Sequence, residues 1–278
     1  MTLQTALLQG TELLEAESIL APRLTAEVLL AHALRQDRVY LYAHPEEELT
    51  EVAWIHYGRY LHQRMQGMPT QYITKRQEFY GREFRVTPDV LIPRPETEHL
   101  VEAALSRISF GDTVVDIGTG SGALAVTLAL EKRVHVFAGD ISPAAVKVAR
   151  ANAKHWQARV QFFVGDLCLP LADRSVDVLV CNPPYVPLTD QPGLQREVRD
   201  YEPHVALFGG PTGLEQYQRL IADARRVLRP GGWLLVELGY NSVELVSEML
   251  RSQEAWRDVE VASDLAGLPR VLAARYSP

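Results

Sequence analysis

From Glu96 onward the chain alternates short apolar runs with helical ones, and no other feature of its 278 residues limits the fold as much. "TVVDI", "VHVFAG", "VQFFVG", "VDVLVC" and "GWLLVEL" are brief and rich in β-branched residues, so they read as strands. Between them, "GALAVTLALEK", "SPAAVKVARANAKH" and the stretches around Leu214 to Val227 and Val243 to Leu250 carry helical spacing. Two late segments, "WRDVEVA" and "RVLAARY", complete the series. Strands this apolar need cover on both faces, which predicts a doubly wound, mostly parallel α/β sheet. In such sheets ligands bind beyond the carboxyl ends of the strands.

The preceding third of the chain has a different pattern. Up to about Gly67 apolar residues recur at three- and four-residue spacings, with Leu24, Val28, Leu29 and Ala33 forming one expected buried stripe that Leu34 widens. Thr50 reads as the N-cap of a helix holding Trp54, Tyr57 and Leu61, and Gly67 as its stop. The stretch "TQYITKRQEFYGREFRVTPDVLIPRPETE" is rich in β-branched and aromatic residues, with Gly81 as a turn and Pro88, Pro93 and Pro95 as breakers. The expected organisation is a small N-terminal helical bundle over residues 1–74, a β-hairpin linker over 75–94 and the α/β domain over 95–278.

Composition narrows the function classes. A net charge of −7 argues against a chain whose main task is to wrap nucleic acid, since phosphate neutralisation supplies most of that affinity. No apolar run approaches a membrane span, and "MTLQTALLQGTELLEAE" carries Glu12 and Glu15 where a secretory leader has a basic region and an apolar core, so a cytoplasmic protein is expected. The two cysteines, Cys168 and Cys181, read as small buried thiols, and the eight histidines show no metal-ligand spacing. No metal is expected.

"VVDIGTGSGALAV" is a strand that turns through Gly118, Thr119, Gly120, Ser121 and Gly122 directly into a helix. Glycines there let the backbone adopt positive φ and approach a ligand closely, although a tight strand-to-helix connection needs the same residues. Asp116 sits two residues before the first glycine. Asp140 ends the second strand, where a carboxylate can accept from both hydroxyls of a ribose, and Asp166 ends the third, near where an adenine would lie. Three carboxylates on one sheet edge resemble class I methyltransferases that bind S-adenosylmethionine. In that family the glycine loop approaches the methionine portion of the ligand, and the first acidic residue helps order the loop.

The fourth strand runs into "NPPY", Asn182 to Tyr185. Neither Pro183 nor Pro184 has a backbone N–H, so the segment keeps its carbonyls and gives up two donors. Beside a methyl donor this presents acceptors: the Asn182 side-chain carbonyl and the Pro183 backbone carbonyl grip a planar –NH₂ and stabilise the positive charge that grows on its nitrogen during attack. Tyr185 offers an aromatic face for a flat group. The exocyclic amine of a base and the carboxamide of glutamine meet these requirements equally, and a rigid turn is the structural alternative.

The rest of the chain separates the two substrates. "GMPTQYITKRQEFYG", "VLIPRPETEHLVE", "DIGTGSGALA", "NPPYV", "EPHVALFGGPTGLEQY" and "DLAGLPRVLAARY" together resemble the release factor glutamine methyltransferases, the PrmC or HemK family, over nearly the whole chain. The resemblance implies a Rossmann-like methyltransferase sheet and a reaction with S-adenosylmethionine that methylates the side-chain amide of the glutamine in the Gly-Gly-Gln motif of class I peptide chain release factors, leaving S-adenosylhomocysteine. It also implies that Gly118 to Gly122, Asp140, Leu167 and Asn182 contact the cofactor, with Asp166 near the adenine, and that Asn182, Pro183, Pro184 and Tyr185 hold the glutamine. Leu91 stands where some relatives carry an aromatic residue beside the substrate.

Three alternatives share parts of this pattern. A nucleic-acid adenine methyltransferase must extract a base from a stack and usually carries a basic domain, whereas "HPEEELTE" is acidic. A ribosomal-protein glutamine methyltransferase differs in its N-terminal region, where "PRLTAEVLLAHAL" favours the release-factor enzymes. A non-catalytic S-adenosylmethionine-binding adaptor has no need of an intact "NPPY". No membrane and no direct nucleic-acid partner are expected.

Overall fold

The structure is a computed structural model describing residues 1–239 and 241–278. The chain divides into two compact units, residues 1–76 with 195–201, and residues 77–194 with 202–278.

The first unit is helical: α1 (Leu3–Ala16), α2 (Pro22–Leu34), α3 (Arg38–Ala43), α4 (Glu51–Met65) and α5 (Thr70–Thr74). Thr50 caps α4 by accepting from the Ala53 N–H at 3.2 Å, and Gly67, at φ 99°, follows its last turn as expected. The stripe expected on α2 is displaced. Leu24 is exposed and Val28, Ala33 and Leu34 are half-buried, while Ala26, Glu27, Leu29 and Leu30 are buried. The cause is that α2 packs against α1, α3, α4 and α5, so its buried arc is wider than a single stripe and includes a carboxylate. Glu27 is tolerated there because Arg23 donates at 2.8 Å, Arg38 at 2.9 Å and the Tyr42 hydroxyl at 2.5 Å. Burial pushes its pKa up, but these hydrogen bonds outweigh it and hold the carboxyl below its ordinary value. On α4, Trp54 is 39% exposed, whereas Tyr57 and Leu61 are buried. "TQYIT", read with the hairpin from sequence, is the short helix α5.

The second unit opens with the hairpin β1 (Arg76–Phe79) and β2 (Arg82–Arg85). Tyr80 and Gly81 both have positive φ, as a two-residue type I′ turn requires. Phe79 and Phe84 are buried in the core of this unit, so the hairpin contributes to the α/β fold. Then follow α6 (Glu98–Leu105), β3 (Thr113–Ile117), α7 (Ala123–Glu131), β4 (His135–Asp140), α8 (Pro143–His155), β5 (Val160–Val164) and β6 (Val176–Cys181). A two-residue β7 (Val186–Pro187), α9 (Arg196–Tyr201, part of the first unit), α10 (His204–Leu207) and β8 (Phe208–Gly210) lead to α11 (Glu215–Val227), β9 (Leu228–Glu237), α12 (Val243–Arg251), β10 (Trp256–Ser263) and β11 (Pro269–Tyr276).

The central sheet has the order β10-β11-β9-β6-β3-β4-β5. Strands β5, β4, β3, β6 and β9 run parallel, and β11 and β10 add antiparallel pairs at one side, which bears out the mostly parallel sheet. Alternate residues enter opposite cores: Val115, Ile117, Leu179, Leu234 and Val236 pack on one face, and Val114, Val178, Val180 and Leu235 on the other. Each such side chain contributes about 1.5–3 kcal/mol on full burial. The order reverses at β3, whose neighbours are β4 and β6, and Ile117 pairs with Cys181. The glycine loop and "NPPY" therefore leave the sheet side by side, at the place where open α/β sheets bind ligands.

Candidate active site

The glycine loop is held mostly by its own neighbourhood. Gly118, Gly120 and Gly122 have φ of 73°, 53° and 80°. The backbone N–H groups of Gly118 and Thr119 both donate to the Gly139 carbonyl, at 2.9 and 3.0 Å, and Gly122 donates to Thr119 at 2.8 Å. A side chain on Gly122 would meet the Cβ of Ala149 at 3.0 Å, so this glycine lets α7 approach α8. At Gly118 and Gly120 no atom lies closer than 3.9 Å to where a Cβ would stand, leaving a cradle open to a ligand. Asn152 of α8, which carries no sequence signal, donates to the carbonyls of Ser121 at 2.8 Å and Arg85 at 2.9 Å, tying loop to hairpin.

The three carboxylates have different surroundings. Asp116 is 1% exposed, and burial pushes its pKa up to about 7 against a 2.7 Å hydrogen bond from the Thr119 hydroxyl. Its place is beneath the loop. Asp140 accepts from the Gly120 N–H and the Ser142 N–H, each at 2.9 Å and each on a different oxygen. Every carboxylate oxygen has a second lone pair, so Asp140 keeps capacity for a ligand while ordering the loop. Burial raises its pKa. Asp166 receives Arg219 at 2.6 Å, and Leu167 has φ 47°, turning the chain after β5.

At the end of β6, Asn182 and Pro183 face the same cleft as the loop. Asn182 Nδ2 donates to Thr97 Oγ1 at 3.1 Å, and Thr97 Oγ1 donates to Glu237 Oε2 at 2.6 Å. Glu237 ends β9 and is 3% exposed; burial pushes its carboxyl up to about 7. Neither Thr97 nor Glu237 was singled out from the sequence, although a lone carboxylate ending the apolar run "GWLLVEL" was an available signal.

Tyr185 does not line the cleft. A Cβ on Gly239 would come within 2.8 Å of its ring, and burial pushes its hydroxyl up to about 12. The glycines of "FGGPTG" have a related role, because side chains at Gly209 and Gly213 would strike the backbone carbonyls of Pro184 and Tyr185 at 2.5 and 2.3 Å. They let the β7–β8 pair press against "NPPY".

The cleft encloses about 1210 Å³ of empty space, mouth included, and brings together Gly118 to Ser121, Asp140, Asp166, Leu167 and Asn182 to Pro184. Val90, Leu91, Arg94 and Val205 supply further walls. Arg94 pairs with buried Glu202, which also accepts from the Ile92 N–H at 3.1 Å, so this wall is pinned to the segment before α10. Among the described residues no group of His, Cys, Asp and Glu is placed to hold a metal, and no helix is long and apolar enough to cross a membrane.

Residues 5–74 match the PrmC N-terminal domain family and residues 96–193 the methyltransferase small domain family. A release factor glutamine methyltransferase of Koribacter versatilis is 46% identical over 99% of both chains, and one of Moorella thermoacetica is 44% identical over 99% of this chain and 98% of the relative. A methyltransferase structure from Pyrococcus furiosus superposes with a TM-score of 0.55 at 18% identity, covering 75% of this chain and 94% of that one, which supports the fold.

Proposed function

This chain belongs to the release factor glutamine methyltransferases, and on that premise we propose that its cleft binds S-adenosylmethionine and methylates the side-chain amide of the Gly-Gly-Gln glutamine in class I peptide chain release factors. The observation that carries the reading is the orientation of Asn182, whose N–H₂ is taken by Thr97, so that its carbonyl oxygen is the atom left for a substrate –NH₂.

The open cradle at Gly118 and Gly120 and the carboxylate of Asp140 fit the cofactor, with Leu167 and Asp166 beside them. When bound, it supplies an electrophilic sulfonium methyl. The chain's task is then to position the amide. A neutral amide nitrogen is a weak nucleophile because its lone pair is delocalised into the carbonyl. Asn182 Oδ1 and the Pro183 carbonyl would accept its two hydrogens, orient the nitrogen and stabilise the charge that develops there. The proton leaves once that nitrogen is positive, so no strong base is required. Tyr185 would act by holding "NPPY" in place.

The helical unit, in this reading, recognises the release factor, because a protein substrate must be held by a surface while one glutamine enters the cleft. A translation factor as substrate makes the cytoplasm the working compartment. The test is incubation with labelled cofactor and release factor, its Gln-to-Ala variant, or DNA. Label on intact release factor alone supports the proposal, and label on DNA would move the chain to the adenine enzymes. For the helical unit, a chain beginning at Arg76, which keeps the hairpin, should bind cofactor but methylate release factor poorly.

A further inference from the structure

Glu237 has no part in the chemistry above, yet it stands beside Asn182, whose amide favours its charged form, and the Thr97 hydroxyl bonds to both. A threonine hydroxyl has a single hydrogen. Thr97 gives that hydrogen to Glu237 Oε2 at 2.6 Å, leaving only lone pairs for Asn182, which must answer with its N–H₂. The chain of donors runs one way, from Asn182 through Thr97 to Glu237. We propose that Glu237, acting through Thr97, is a positioning residue that sets which way round the Asn182 amide sits, and so whether the site offers the substrate an acceptor or a donor. The inference rests on the reading that Asn182 accepts from the glutamine amide.

The polarity of the chain depends on the charge of Glu237. As a carboxylate, Glu237 can only accept. Once protonated it can donate to Thr97, whose hydrogen is then free for Asn182 Oδ1. The amide can turn, and its N–H₂ then meets the N–H₂ of the substrate. Burial pushes Glu237 up to about 7 and Glu96 adds to this, while Thr97, Arg270 and Asn182 favour the charged form. From β11, Arg270 is held by Asp264 at 2.8 Å and lies 4.0 Å from Glu96. The other titratable neighbours stay neutral: burial raises Tyr185 and Tyr217, and Cys181 lies well above an ordinary thiol. Asp116, also pushed up to about 7, and Asp140, raised by burial, are further carboxyls at the cleft, so a variant must tell Glu237 apart from them.

Turnover should therefore fall as pH drops through the Glu237 titration, because the carboxylate is lost below it. In release factor methylation, wild-type kcat should decline below about pH 7, and Glu237→Gln should lose that limb even though Asp116 remains. Thr97→Val should lower kcat by up to roughly tenfold, the size of one neutral hydrogen bond, with cofactor affinity unchanged by calorimetry. Thr97→Ser should restore most of that rate. Independently of substrate, the ¹⁵N side-chain signal of Asn182, assigned by its loss in Asn182→Ala, should shift with pH near 7 in wild type and not in Glu237→Gln. A Thr97→Val enzyme that binds cofactor and turns over at the wild-type rate, or an Asn182 signal indifferent to pH, overturns the relay. If wild type leaves release factor unmodified, the functional reading fails instead, and the amide signal alone decides the relay.

Discussion

The two sides of the cleft are built on different principles. On the glycine-loop side the ordering contacts are mostly short in sequence: Thr119 reaches back three residues to Asp116, Ser142 two to Asp140, and Gly120 twenty to Asp140. On the "NPPY" side Asn182 is oriented by Thr97, 85 residues earlier, and Thr97 by Glu237, 140 residues later. One motif largely orders itself, whereas the other brings acceptors and has them aimed from elsewhere. Substitutions within the motif should dominate on the first side, and distant residues should matter on the second.

The largest effect should come from Asn182. Removing one contact of this electrostatic kind costs about 10²–10³ in rate, so Asn182→Ala should lower kcat on that scale while release-factor binding changes little. The comparison becomes sharper with Asn182→Asp, which keeps size and acceptors. Thr97 has no hydrogen to spare, so the new carboxylate meets lone pairs and adds charge beside buried Glu237. We expect it to fall as far as Ala in steady-state assays. Wild-type turnover by the Asp variant would show that the donor side of Asn182 is idle.

Asp140→Ala tests the self-ordered side. It removes the acceptor of Gly120 and Ser142 together with the proposed ribose contacts. Bonds to a charged group contribute about 1.5–3 kcal/mol, so calorimetry should register a tenfold to hundredfold weaker cofactor affinity. Unchanged binding would remove Asp140 from the cofactor site.

Gly122→Ala acts on stability. A non-glycine residue at φ 80° costs about 1–2 kcal/mol, and the contact with Ala149 leaves little room to relax. Denaturant unfolding should show the loss; Gly120→Ala, whose Cβ would enter the open cradle, should affect cofactor affinity as well. Smallest of all should be Arg219→Ala. Its pair with Asp166 is exposed, and such pairs are screened, so cofactor affinity should move by less than about threefold. A larger loss would mean that Arg219 itself meets the ligand.

How far the sequence could be read follows the same division. The strands from "TVVDI" to "RVLAARY", the glycine turn, the Thr50 cap and the Gly67 stop were all legible, because periodicity, caps and positive-φ residues act within a few positions of the chain. So was the placing of the glycine loop and "NPPY" on one sheet edge, since both end strands of one sheet. The error on Leu24 has a plain cause: which arc of a helix is buried depends on how many neighbours surround it, and α2 has four. The strand order that sets β6 beside β3, the clamp of Asn152 on the loop, and the polarity of the Asn182 amide were decided only by tertiary structure. A sequence specifies which groups can donate or accept. Which donor meets which acceptor across 85 or 140 residues is settled by packing, because a buried polar group takes the partner that the fold brings within reach.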